Sequence, residues 1–188
     1  MNATDPSTAE GGECQAMPKG KTSPKGVSAS MGVKPFLLIA GLAVILDQAS
    51  KLLVRTHIQL YQSITVIPGF FNLTHVRNPG GAFGFMAAGS QGLRTLLFVG
   101  VSAVAMALIV YFYRQTPKSY PYLAAALAMI FGGAVGNLID RLRYGAVVDF
   151  LDVHVGVYHW PAFNVADSAI TVGIAIFILH VVLGKMPK

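Results

Sequence analysis

The chain has 188 residues, of which 54% are hydrophobic and 12% charged, with a formal net charge of +6. So few charges exclude a disordered chain and argue against a water-soluble globule. One cysteine excludes an intrachain disulfide and a multi-cysteine zinc site, and in a chain this apolar the basic excess points to loops at an anionic membrane face rather than to nucleic acid.

Residues 1–34 are rich in Gly, Ser, Thr, Pro and Lys, contain no hydrophobic run, and read as a disordered basic tail. Cys14 reads as a free thiol, because a lipid-attachment cysteine needs an apolar stretch just before it. The remainder, 35–188, reads as one domain with four apolar runs. These are Phe36 to about Val54, Thr95 to Tyr113, Ser119 to Ile139, and Ser168 to Gly184. A hydrocarbon core ~30 Å thick takes ~20 helical residues, so each fits a membrane span, the fourth if it starts a few residues earlier.

Four spans place both termini on one side. That side carries Lys19, Lys21, Lys25, Lys34, Arg114, Lys118, Lys185 and Lys188, and the other Lys51, Arg55, Arg77, Arg94, Arg141 and Arg143. The bias favours cytoplasmic termini, and more so where some of the second group are held by a site. On the other side, Tyr61–Phe71 has β-branched and aromatic residues and a Pro-Gly turn, so it reads as a strand or hairpin. Val147–Val155 alternates as a strand does, and the two together suit a small surface sheet.

Ionisable groups in or beside the spans cost several kcal/mol unless paired or wetted, so each is a functional hypothesis. Asp47 and Lys51 lie four apart on one helical face, with Arg55 a turn further, and read as a structural ion pair. Gly132 and Gly136 make a small-residue face for close helix packing. Asn137, Asp140 and Arg141 share a face. Asp140 reads as knotted to Arg141 or Arg143, while Asn137 and Arg141 equally suit a site for carbonyl oxygens. Asp149 follows the third span and Asp167 opens the fourth, near one boundary. A proton-sharing pair of these would activate water, although Asp152 is a rival partner and Asp167 also reads as a helix N-terminal acid. His154 and His159 read as loop histidines, since no further ligands accompany them. A small transporter or proton-conducting protein is the alternative use of intramembrane acids.

The motifs DQASK (Asp47–Lys51), NPGGAFG (Asn78–Gly84), GGAVGNLIDR (Gly132–Arg141), VVDF (Val147–Phe150) and FNVADSAI (Phe163–Ile170) occur in this order within the four-span chain. With them, the chain from Pro35 to about Lys185 resembles lipoprotein signal peptidase (signal peptidase II), the aspartic peptidase of the bacterial inner membrane. Residues 1–34 match nothing in that family. The resemblance implies an all-α membrane protein of four transmembrane helices with a small extracytoplasmic β-sheet and a short surface helix. It implies Asp149 and Asp167 as the catalytic pair, and Asn78, Asn137, Arg141 and Asn164 as substrate-binding residues. Supporting positions would be Asp47, Lys51, Gly80, Gly133, Gly136, Asp140, Phe163 and Ala166. The implied substrates are diacylglyceryl-modified prolipoproteins cleaved just before the lipidated cysteine. No metal or organic cofactor is implied. The expected form is a monomer among membrane phospholipids, with both termini cytoplasmic and the active site at the outer face.

Overall fold

The structure, a computed structural model, describes residues 32–80 and 90–184. The tail expected over 1–34 therefore falls almost entirely outside the described residues, as do Gly81–Gly84 of the NPGGAFG motif. Four long helices dominate: α1 (Val33–His57), α2 (Gln91–Gln115), α3 (Pro121–Tyr144) and α4 (Val165–Val182). All four are long and apolar enough to cross a membrane. The fourth starts at Val165 rather than Ser168, which gives it 18 residues and a length of ~27 Å.

The helices are built to face lipid outward and each other inward. Helix α1 buries Phe36, Ala40, Ala43, Asp47, Lys51 and Val54, one stripe at three- and four-residue spacing. Its Leu37, Leu38, Leu42, Ile45 and Leu46 are exposed. Helix α2 is apolar all round and meets the others mainly through Ile109 and Tyr113, which pack with Phe36, Ala124 and Leu127. Helix α3 is the centre, in contact with the other three. It starts with Pro121 in the first turn and stops at Gly145, whose φ of 68° is left-handed and whose N–H donates to the Arg141 carbonyl at 3.0 Å.

Small residues let α3 approach its neighbours. A Cβ on Gly132 would lie 2.6 Å from the Ala40 carbonyl oxygen of α1. On Gly133 it would press on the Ala166 carbonyl of α4 and lie 2.7 Å from Ile170 Cγ1. On Gly136 it would lie 2.6 Å from Asp47 Oδ2. The small-residue face thus exists and extends to both sides of α3, wedging it between α1 and α4.

At one end of the bundle lies a four-stranded antiparallel sheet in the order β1 (Ser63–Ile67), β2 (Phe71–Asn78), β3 (Val147–Val155), β4 (Tyr158–His159). The expected hairpin turns at Pro68–Gly69, with Gly69 at φ 73°. Val54 of α1 and Ile58, just past its end, pack against Phe150 of β3 and tie the sheet to the bundle. Alternating burial fails at the start of β3, where Val147, Val148, Asp149 and Phe150 are all buried. Both faces of the strand are covered there, because it enters the bundle. Among the described residues there is no short surface helix.

Candidate active site

Two carboxylates and one ammonium from α1 and α3 meet where the sheet joins the bundle. Lys51 Nζ lies 2.8 Å from Asp47 Oδ2 and 2.9 Å from Asp140 Oδ2. The ion pair expected within α1 is therefore an interhelical triad. The partner of Asp140 is Lys51, not Arg141 or Arg143. The backbone rotation of α3 puts Asp140 with Gly136 toward α1 and sends Arg141 to the next face. Arg55 does not join the triad. Its guanidinium stacks over the Tyr144 ring, 4.1 Å from the centroid, and donates to the Tyr144 hydroxyl.

Each acid of the triad also holds a piece of backbone. Asp47 Oδ1 accepts from the Ala166 N–H at 2.9 Å, and so fixes the first turn of α4. Asp140 Oδ2 accepts from the Val148 N–H at 3.0 Å, which fixes β3 one residue before Asp149. Gln48 Nε2 bridges Asp47 Oδ2, the Gly136 carbonyl and Asp140 Oδ1 at 3.1, 3.2 and 3.1 Å. Sequence reading passed over Gln48; its only signal is its place between Asp47 and Lys51.

Asparagines carry this scaffold to Asp149 and Asp167. Asn137 Oδ1 accepts from Lys51 Nζ at 3.0 Å and from Asn164 Nδ2 at 3.2 Å, which turns Asn137 Nδ2 onto Asp167 Oδ1 at 2.7 Å. A flipped amide would set an NH₂ against an ammonium. Asn164 caps α4: its Oδ1 accepts from the Asp167 N–H at 2.9 Å, while Asp167 Oδ2 accepts from the Asn164 N–H at 3.3 Å. This is a capping box with Asp in the third helical position. Asn164 Nδ2 also donates to Asp149 Oδ1 at 2.7 Å, and Asn78 Nδ2 donates to Asp149 Oδ2 at 3.2 Å. Asn78 is in turn held by Gly80, whose N–H donates to Asn78 Oδ1 at 3.1 Å.

Asp149 and Asp167 open onto one cavity of about 640 Å³, together with Asn78, Asn137, Arg141 and Phe163. Burial first, and the charge of Asp167 second, push the Asp149 carboxyl up to about 7. Asp149 is therefore only partly ionised near neutral pH. Arg141 sits 4.5 Å from the centroid of the Phe98 ring, which orients its guanidinium at the cavity wall. Phe163 holds the floor through its backbone: its carbonyl accepts from the N–H groups of Phe150 and Leu151 at 2.9 and 2.8 Å. The opposite wall is apolar and includes Ile170, Val172 and Trp160, suited to hydrocarbon rather than to water. Trp160 and Ile170 were not among the expected site residues, and isolated apolar side chains carry no sequence signal for a cavity.

Asp152, the rival partner, lies outside the cavity. It faces Asn72 across the β2–β3 ladder, accepts from its Nδ2 at 2.9 Å and pairs with His159 Nδ1 at 2.8 Å. Burial pulls its carboxyl up, but the bonds from Asn72 and His159 outweigh that and hold it below the ordinary value. His154 stacks on His159 with ring centroids 4.5 Å apart.

Four membrane-length helices beside a cavity with two linked carboxylates define the class: a multi-pass membrane protein equipped for acid–base hydrolysis. The comparisons agree. The family described as signal peptidase (SPase) II matches residues 39–183. A lipoprotein signal peptidase of Desulforapulum autotrophicum is 53% identical over 80% of this chain and 93% of its own. One from Syntrophus aciditrophicus is 46% identical over 81% and 95%. A solved structure, described as a bacterial membrane enzyme determined by the in meso method, is similar with a TM-score of 0.72 at 32% identity, covering 86% of this chain and 97% of that one. The chain belongs to the signal peptidase II family and is a multi-pass bacterial membrane protease. That assignment displaces the transporter reading.

Proposed function

We propose that this protein removes signal peptides from diacylglyceryl-modified prolipoproteins, cutting just before the lipidated cysteine, with Asp149 and Asp167 as the catalytic pair. The observation that carries the reading is their convergence on one cavity, each held by asparagine donors. The ionised carboxylate takes a proton from water, and the resulting hydroxide attacks the scissile carbonyl. The protonated carboxyl polarises the carbonyl oxygen and later protonates the leaving amine.

Asn78, Asn137 and Arg141, which line the cavity, would orient the substrate backbone. Asn164, expected to bind substrate but fully buried behind the lining, would act by holding Asp149, and the apolar wall of Ile170, Val172 and Trp160 would receive lipid chains. The chemistry needs the cavity at the outer boundary of the inner membrane, where the substrate's acyl chains anchor the scissile bond. The charge bias supports cytoplasmic termini more strongly once Lys51 is discounted as ion-paired and Arg141 as part of the cavity. The protein would act as a monomer, with residues 1–33 dispensable for cleavage. Incubating purified protein with a diacylated prolipoprotein tests the reading. Release of a signal peptide is expected, and its absence with folded protein and authentic substrate would reject it.

A further inference from the structure

A second cavity, of about 260 Å³, opens on the far side of the Lys51 triad. It is lined by Gln48, Lys51, Leu52, Arg55, Asp140, Arg143 and Tyr144, and shares no residue with the active-site cavity. Arg55 and Arg143 occupy the last turns of α1 and α3, at the sheet end of the bundle. That is the depth at which phospholipid phosphates lie if the helices span. Leu52, Leu53 and Leu142 beside them are exposed, as acyl-chain contacts are.

The charge of this cavity is not balanced by protein. Lys51 is engaged by Asp47 and Asp140. Arg143 is exposed and has no ion-pair partner among the described residues, and Arg55 contacts only the Tyr144 ring and hydroxyl. Counting Asp47 behind Lys51 with the four charged residues of the lining, the groups leave one net positive charge, which matches the single negative charge of a phosphodiester. Guanidinium suits that ligand because its planar fork offers two parallel donors to two phosphate oxygens. The Tyr144 ring holds the Arg55 plane in place.

We propose that this cavity binds the phosphodiester of an anionic membrane phospholipid, with Arg55 and Arg143 on the phosphate and Leu52 and Leu142 along the chains. The site is separate from the substrate cavity and serves a resident lipid rather than the lipid of the substrate.

The test uses the full chain in detergent. Dilauroyl phosphatidylglycerol, dilauroyl phosphatidylcholine and inorganic phosphate are added separately, and bound species are counted by native mass spectrometry beside thermal unfolding. One tightly held phosphatidylglycerol and a raised Tm are expected, with little effect of the other two. Arg143→Glu should reduce the adduct at least fivefold, and Arg143→Ala serves if charge reversal impairs folding. Signal-peptide release in detergent should be unchanged in Arg143→Ala, which touches none of the catalytic groups. Equal retention of phosphatidylcholine, undiminished phosphatidylglycerol in folded Arg143 variants, or a Tm rise of the same size from phosphate alone would each overturn the assignment.

Discussion

Lys51 of α1 and Asn137 of α3 are joined by a 3.0 Å hydrogen bond from ammonium to amide oxygen. That bond decides which end of Asn137 faces Asp167, so a charge that touches no substrate sets a donor on a proposed catalytic carboxylate. The same ammonium lies against Asp47 and Asp140, which hold the first turn of α4 and the start of β3. One buried cation therefore registers the two elements that carry Asp149 and Asp167.

Asp149→Asn and Asp167→Asn should each abolish signal-peptide release while leaving the protein inserted. Asn keeps the size and hydrogen-bonding capacity but cannot exchange the proton that water activation requires. Losing either member should cost nearly as much as losing both, because they act as a unit. Asp152→Asn should keep most activity, since Asp152 is paired with Asn72 and His159 away from the cavity. The measurement is peptide released per folded molecule. Loss in Asp152→Asn alone would move the chemistry elsewhere.

Removing one member of the triad should be costly to the fold. Asp47→Asn weakens the partner of Lys51, and Lys51→Met leaves Asp47 and Asp140 facing each other in a dry site. We expect losses of ~3 kcal/mol or more for each, read by thermal unfolding in detergent. Lys51→Met should also lower cleavage per folded molecule, because Asn137 is then free to flip. Parent-level turnover in a folded Lys51→Met protein would show that Asn137 needs no such restraint.

The elevated Asp149 carboxyl gives a signed pH dependence. Activity should fall as pH rises through about 7, where the shared proton is lost. Stability follows the same sign. A carboxyl raised in the folded state from 3.8 to about 7 contributes stability that is full below about 4 and lost as pH rises through about 7. Asp149→Asn should thus match the parent near pH 4 and exceed its Tm near pH 8.5. Parallel Tm curves for the two proteins would contradict the origin of the shift.

Gly133→Ala tests the wedge of α3. The added methyl would press on the Ala166 carbonyl and on Ile170, pushing α4 and its Asp167 away. A loss of ~1–3 kcal/mol is expected, with a larger fall in cleavage than in stability. Gly100→Ala on α2 is the comparison, since a Cβ there meets nothing within 4 Å. It should be neutral or stabilising, by at most ~1 kcal/mol.

Reporter fusions after Lys188 and within the α2–α3 connection near Arg114–Ser119 should both report cytoplasm. A periplasmic signal from either would put the carboxylate pair on the wrong face for its substrate.

The spans were readable because charge-free apolar runs of bilayer length have few other uses, and the hairpin because Pro68–Gly69 separates two β-branched stretches. Asp149 and Asp167 stood out as acids at the edges of apolar segments. The partners were not readable. Asp140 lies beside two arginines in sequence yet pairs with a lysine from another helix, because helical rotation rather than adjacency sets the contact. Asn164 caps α4, and nothing local in the sequence reveals that its amide also reaches Asp149. The buried start of β3 breaks the alternation that a half-exposed strand shows, since tertiary packing covers both faces.

The capping box of α4 has a bearing on inhibitor resistance. Asp167 lines the cavity with the same carboxylate that closes the capping box of a membrane helix, and Asn164, fully buried behind it, completes that box. A compound gripping Asp167 would leave few escape substitutions. Replacing Asn164 to shift Asp167 away from the compound also uncaps the helix, at ~1 kcal/mol for the cap alone, and releases Asp149 as well. Resistance at that point would arrive already burdened by a poorly folded target. Escape should instead gather on the apolar wall, at Ile170 or Val172, where volume can change without disturbing the polar network.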